Sequence, residues 1–445
     1  MFRLAWPLAL LAAVYSLSVN AQDSTATTPK EDLAEIKSAL DGVNETLLGL
    51  STTVDALRKI KISGYIQAQY QIADTAGIST FAGGDFPSNV TSRFLVRRGR
   101  FKLDYDNDLS HYVMEVDVTQ NGVGIKDAYV WIREPWLRKV AMTTGAFYRP
   151  FGFEVAYSSG VRETPEQSRL FQTLFPGERE LGAQIEINSE EGLFSYFNVK
   201  AGVFNGVLNN ANENDGNKDY IGRIGFSLPF EEQSLGVDGG LSLYSGKVTS
   251  ASKYLFSIDN SSATKQFMVD STTSNLGGSY GRGYYGADLQ LYYEVPSIGG
   301  MSIRGEYITG QQPGTSKSNS FYNPADKGFT PQLYVRNFRG WYLTYIQNIG
   351  LKNELLVKYD VLDPNTDVDG SDIGASASNG LTQADLRYST LGLGWIYHWD
   401  ANVKFVAYYD MVNNEKVNAA AAGSLASFGN DVKDNVLTLR MQYKF

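Results

Sequence analysis

From Ile60 onward the chain alternates between apolar and polar residues. In "KIKISGYIQAQYQI", Ile60, Ile62, Ile66, Tyr70 and Ile72 fall on one parity and Lys61, Ser63, Gln67, Gln69 and Gln71 on the other. A period of two predicts a strand with one oily and one wet face. Similar segments recur from 93–106 to 432–445, about sixteen strands in all, an even number within the range of transmembrane barrels. The last, "VLTLRMQYKF", splits into Leu437, Leu439, Met441, Tyr443 and Phe445 against Thr438, Arg440, Gln442 and Lys444. Placing Arg or Lys at the lipid midplane costs about 2–4 kcal/mol, so the second set is assigned to a wet lumen.

The connectors support this reading. "DNDLS", "EPWLR", "NSEEG", "PFEEQS", "PSIGG", "NIGLKN" and "HWDAN" are short, and they alternate with segments such as 74–92, 148–179, 205–218, 247–282, 311–335, 363–384 and 414–431. A membrane barrel has short periplasmic turns and long outer loops, whereas a soluble sandwich or propeller has no cause to sort connectors by parity. Tyr397 with Trp399, Tyr292 with Tyr293 and Tyr408 with Tyr409 are expected to form interface girdles at strand ends.

Upstream the period differs. Leu33, Ile36, Leu40, Val43, Leu47, Leu50, Val54 and Leu57 are spaced alternately three and four apart, a heptad seam nearer to trimer and tetramer patterns than to the dimer pattern. The alternative is one amphipathic helix packed on its own domain. Still earlier, Arg3, "LAWPLALLAAVY" and "SVNAQ" have the charged, apolar and small-residue regions of a secretory signal peptide. The expected organisation is a signal peptide over 1–21, a periplasmic coiled-coil segment over 22–59 and a barrel over 60–445, exported to a bacterial outer membrane.

Composition narrows the chemistry. The chain has 445 residues, 28 Tyr, 44 Gly, no Cys and a net charge of -9. Without Cys there are no disulfides, thiolate metal sites or thiol nucleophiles. A pI near 5.0 and the lack of a basic stripe exclude nucleic acid as a partner. The two histidines, His111 and His398, stand at short-turn ends without a nucleophile motif, so no enzymatic activity is expected. No cofactor is implied. Asp363, Asp367, Asp369 and Asp372 alternate with Gly and Asn but lack an EF-hand's final Glu, so a solvated acidic loop is favoured over a Ca²⁺ site.

"FLVRRGRFKLDYDND", "DAYVWI", "TTGAFYRPFGFE" and "RLFQTLFPGERELGAQ" resemble, in order and spacing, the phosphate-selective porin O and P family. The resemblance implies an all-β channel of sixteen strands, a homotrimer, narrowed by its third long loop and binding anionic solutes through inward Arg and Lys. The C-terminal strand ending on Phe resembles the signature that the barrel assembly machinery reads.

In such a channel the chemistry is a field, in which cations lining a narrow passage attract anions. Strand parity assigns Arg98, Arg100, Lys102, Arg440 and Lys444 to the lumen, with Arg97 out of parity and a β-bulge near Gly99 as the cause. These cations could instead pair with Glu115 and Asp117 as a wall network. Segment 148–179 is the constriction candidate, with Phe151, Phe153, Phe171 and Phe175 anchoring it while Arg149, Arg162, Arg169 and Arg179 reach the passage. Glu154, Glu163, Glu166, Glu178 and Glu180 oppose them and leave the segment near neutral. The expected function is passive diffusion of small hydrophilic solutes, with an anion or phosphate preference where the Arg set prevails. Two alternatives stay open: a sugar channel using Tyr65 and Trp131 as a stacking track, and a structural barrel anchoring a periplasmic spacer.

Overall fold

A change of period at residue 59 divides the molecule. The computed structural model describes residues 29–189, 191–209, 211–259, 261, 265–321 and 332–445. The signal-peptide segment and the side chain of Leu33 lie outside the described residues. Two units result, residues 1–58 and 59–445.

In the first unit, helix α1 (Pro29–Arg58) runs 30 residues. Its seam residues Ile36, Leu40, Val43, Leu47, Leu50, Val54 and Leu57 are all exposed, from 39% for Val54 to 65% for Ile36. Thr46 and Thr53 turn their hydroxyls back onto the carbonyls of Gly42 and Gly49.

The second unit is a sheet built from strands in chain order. They are β1 (Ile60–Ala73), β2 (Ser92–Asn107), β3 (Ser110–Thr119), β4 (Gly122–Arg133), β5 (Val140–Tyr148), β6 (Arg179–Asn188), β7 (Phe197–Phe204), β8 (Asp219–Phe230) and β9 (Leu235–Thr249). After β10 (Leu255–Ile258) and β11 (Phe267–Asp270) come β12 (Ser279–Val295), β13 (Gly299–Gly314), β14 (Leu333–Ile349), β15 (Asn353–Asp363), β16 (Tyr388–His398), β17 (Val403–Asn414) and β18 (Val436–Lys444). β9 pairs directly with β12 and β18 returns to β1, so sixteen antiparallel strands close a ring and β10–β11 stand outside it as a hairpin. Closure runs from Tyr65↔Lys444 to Ala73↔Val436. Phe445 extends it by exchanging backbone bonds with Gly64 at 3.0 and 3.2 Å.

The two faces differ as the alternation requires. In β18 Val436, Thr438, Arg440 and Gln442 are buried, while Leu439, Met441 and Tyr443 are exposed. Around the ring Ile224, Leu241, Leu243, Leu289, Leu343, Leu355 and Leu393 are exposed in the same way. An apolar band this large is stable only against hydrocarbon or another apolar surface. No helix among the described residues is long and apolar enough to cross a membrane, so the strands must do the crossing.

The bulge expected near Gly99 is present at Arg97: Gln67 faces Arg98 and Ala68 faces Val96. One expectation is corrected. Tyr292 and Tyr408 belong to inward parities, the latter 4% exposed, so only Tyr293 and Tyr409 of those pairs face outward. The β10–β11 hairpin falls within the long 247–282 segment. It is anchored by Phe256 stacked on Tyr334 at 4.4 Å and by an apolar cluster of Phe267, Tyr334, Ile373, Leu381, Leu386 and Val417 that ties the outer loops together. The acidic loop uses its carboxylates internally: Asp363 pairs with Arg339, Asp367 accepts from Asn337, and Asp369 and Asp372 bond to the loop's own groups.

Face assignment is checked by cysteine labelling in membranes, since the native chain has no Cys. Lys200→Cys, with a partly exposed inward side chain, should react with a small water-soluble thiol reagent. Leu241→Cys, 68% exposed on the outer face, should react only with a lipid-soluble one. The opposite pattern would invert the barrel.

Candidate functional site

The lumen is occupied by the connector 149–178, which enters after β5. Pro150 fixes its own φ, and Gly152 follows with φ +60, where an added Cβ would overlap the carboxylate of Glu306. That carboxylate, on β13, accepts from the backbone N–H of Phe153 at 2.9 Å and of Glu154 at 2.5 Å, and from the Tyr342 hydroxyl at 2.7 Å. One acid thus pins the loop's entry to the wall.

Helix α2 (Arg169–Leu174) then buries Leu170, Phe171 and Leu174 completely. They pack with Phe151 and Phe175 against Tyr244 on β9, Tyr284 on β12 and Phe338 and Tyr342 on β14. Edge-on ring contacts of 6.0 Å (Phe171 to Tyr342) and 5.8 Å (Phe175 to Tyr284) lie in the favourable range for aromatic pairs. The side of the lumen formed by β9 and β12–β15 therefore carries an apolar core, beside which Lys358 on β15 meets Glu154 at 2.6 Å.

Toward β18, β1 and β2 the same loop is held by charge. Glu166 accepts Arg97 at 2.8 Å, Arg98 at 2.7 Å and Arg440 at 2.9 Å. Burial by itself would raise the Glu166 carboxyl, but the three guanidiniums outweigh it and hold the group well below its ordinary range. Glu178 is lowered by the same balance, with Arg179 and Arg162 opposing burial. Arg440 also donates to the carbonyl of Pro165 and Gln442 to that of Gly160.

The cations singled out from the sequence do not act as one set. Arg149, expected to reach the passage, is 1% exposed, lies between the Phe175 and Phe321 rings and stands 3.7 Å from Glu180. Arg179, also 1% exposed, is bound to Asp127 and Glu178 and covers the Tyr148 ring. Arg169 is held between the rings of Phe81 and Tyr388. Arg162 is buried 4.0 Å from Glu178, and none of its guanidinium nitrogens has a hydrogen-bond partner among the described residues. The correction has one cause: a loop folded on an aromatic core buries its arginine stems, and a buried guanidinium needs carboxylates or ring faces nearby.

On the wall, Arg100 pairs with Glu115 at 3.0 Å and approaches Asp117 at 3.5 Å, so part of the alternative wall network exists. Lys102 pairs with Asp104 at 3.0 Å and stays partly open, whereas Lys444 is exposed at the turn-side rim, away from the loop. Tyr65 is covered by the loop, its hydroxyl 2.7 Å from Ser159, and is removed from any stacking track. Trp131 remains beside a cavity of about 550 Å³ with Tyr129, Tyr148, His111 and Lys200. Glu306 escaped sequence reasoning altogether, its only signal being an acid on the inward parity of a strand.

An apolar outer band, a closed ring and a connector folded into a polar lumen define a transmembrane β-barrel of sixteen strands. No protein-family model and no curated protein matches the chain. Among solved structures, OprB of Pseudomonas putida aligns over 88% of this chain and 96% of its own at 10% identity, with a TM-score of 0.57. DcaP, an outer membrane channel of Acinetobacter baumannii, aligns over 87% and 97% at 10% identity with a TM-score of 0.49. The likeness to OprB shows that the architecture is shared.

Removing the acid at the centre tests the ionic dock. Glu166→Gln leaves the buried guanidiniums of Arg98 and Arg440 and the partly exposed one of Arg97 without this carboxylate, a change of the kind that costs about 3–5 kcal/mol. The inner loop should become sensitive to protease in detergent while the barrel stays folded. The pH dependence follows in sign. Carboxyls lowered in the folded state stabilise it above their unfolded value, and that contribution is lost as pH falls through the lowered folded value. Docking by Glu166 and Glu178 should therefore persist at about pH 4, near the ordinary Glu value, and fail only under stronger acid. Release of the loop between pH 5 and 6 would contradict the assignment.

Proposed function

We propose that the protein is a channel of the bacterial outer membrane through which small hydrophilic solutes diffuse, with a bias toward anions. The observation that carries this reading is the junction between the inner loop and β18, β1 and β2, where Arg97, Arg98 and Arg440 share one carboxylate. The uncompensated guanidinium charge sits in a low-dielectric lumen, where it acts on a passing ion more strongly than in water. Arg97 keeps its side chain 29% exposed and is the member of the trio most open to a solute.

The test is conductance of purified protein in planar bilayers under a salt gradient. The expected reversal potential favours anions, and Arg97→Gln should reduce that preference without closing the channel. Intact barrels that insert and never conduct would overturn the channel reading. A cation-favouring potential would overturn the bias alone.

The reading includes assembly as a homotrimer, supported by the α1 seam, whose apolar residues have no partner within their own unit's described residues. Burying such a seam between copies would remove large apolar area from water at about 25 cal/mol per Å². Leu47→Asp should lower the temperature at which oligomers dissociate in mild detergent and leave the monomer barrel folded. An unchanged dissociation temperature would exclude the seam from assembly.

A further inference from the structure

The outer wall of the barrel carries a charged cleft that the channel reading does not use. Along β14 the outward positions run Arg339, Trp341, Leu343 and Tyr345, so a guanidinium stands directly above an aromatic and then an aliphatic surface. Trp341 packs on Tyr359 of β15, the ring centroids 5.5 Å apart. Arg387, just before β16, supplies a second guanidinium. Arg339, Trp341, Tyr359 and Arg387, together with Ser389 and Asn413, line a cleft of about 490 Å³ at the long-loop end of β14–β17.

The electrostatics of the cleft are asymmetric. The side chains of Arg339 and Arg387 are 55% and 48% exposed, whereas their partners Asp363 and Glu415 are only 8% and 14% exposed. The side-chain contacts are long, 3.4 Å for Arg339 to Asp363 and 3.3 Å for Arg387 to Glu415, and Glu415 also accepts from the Arg387 backbone N–H at 3.3 Å. A guanidinium has five N–H donors in a fixed fork. Each acid thus anchors one edge of a half-exposed guanidinium and leaves other donors facing out of the barrel. Outward-facing guanidinium donors suit a phosphate, which they bind in bidentate fashion.

The position decides the source of that phosphate. Trp and Tyr on a barrel exterior sit at the level of lipid headgroups, and below Trp341 and Tyr359 the exposed residues Leu343, Leu355 and Val357 continue into the apolar band. A free anion would meet the donors but leave the aromatic shelf unfilled. A lipid would place its phosphate on the guanidiniums and its acyl chains on the shelf. We propose that this cleft binds a phosphorylated lipid headgroup of the outer leaflet. The proposal rests on the membrane orientation given above, with the long loops outside.

Native mass spectrometry of the full-length, detergent-purified protein provides the test, with a bisphosphorylated lipid A, the same lipid without phosphates, and inorganic phosphate as probes. The phosphorylated lipid should give a saturable adduct that the dephosphorylated lipid does not. Arg339→Gln combined with Arg387→Gln should lower its occupancy roughly tenfold or more, since charged hydrogen bonds are lost. Arg339→Lys and Arg387→Lys, which keep charge and fold but lose the fork, should each show an intermediate loss. Equal binding of both lipids, or occupancy unchanged in the double variant, would overturn the proposal. Displacement by millimolar inorganic phosphate would assign the cleft to free anions and also overturn it. Bilayer conductance should be unaltered by these substitutions; if the wild-type protein does not conduct yet retains the lipid adduct, the channel reading fails and the lipid site stands.

Discussion

Everything in this molecule depends on the pairing of β1 with β18. A peptide group in hydrocarbon has no water to bond with, and each one left open costs several kcal/mol, so a sheet can cross a membrane only without edges. The pairing from Tyr65↔Lys444 to Ala73↔Val436 removes the last two edges. It also fixes register: a slip of one residue would turn Arg440 to lipid and Leu439 to the lumen. Once register is fixed, Gln67, Gln69, Arg98 and Arg440 are carried to adjacent inward positions, which places the guanidiniums where one carboxylate can meet them all.

The parts of this arrangement legible in the sequence are those set by local period. Alternation announced the strands, connector length announced the two ends of the barrel, and the parity break at Arg97 announced a bulge. Short segments were silent. The β10–β11 strands have four residues each, too few to show a period, and they exist because Phe256 and Phe267 find Tyr334 across the loops. Tyr292 and Tyr408 were misplaced for a related reason: neighbouring tyrosines at a strand end look alike in sequence, although parity sends one of each pair inward.

The candidate site was legible in composition but not in arrangement. The segment 148–179 shows arginine, glutamate and phenylalanine in similar measure, and its near-neutral balance was visible. Which arginine meets which acid depends on a fold made by distant residues. Glu306 lies more than a hundred positions from the Phe153 and Glu154 amides it binds. Arg149 is enclosed partly by Phe321, from a different outer loop. No local pattern encodes such pairings, because their partners share only an inward parity.

The inner loop is fixed by two unlike forces, and the difference bears on how the lumen can respond to its surroundings. Toward β9 and β12–β15 the contact is an aromatic and aliphatic core, joined by the Glu306 carboxylate and by the ion pairs Lys358–Glu154 at 2.6 Å and Arg304–Glu163 at 3.0 Å. Toward β18, β1 and β2 it combines ion pairs on Glu166, whose side chain is 7% exposed and so shielded from the ionic screening that weakens surface pairs, with hydrogen bonds from Arg440 and Gln442 to the carbonyls of Pro165 and Gly160. A perturbation strong enough to protonate that acid would free the ionic edge while the aromatic edge held.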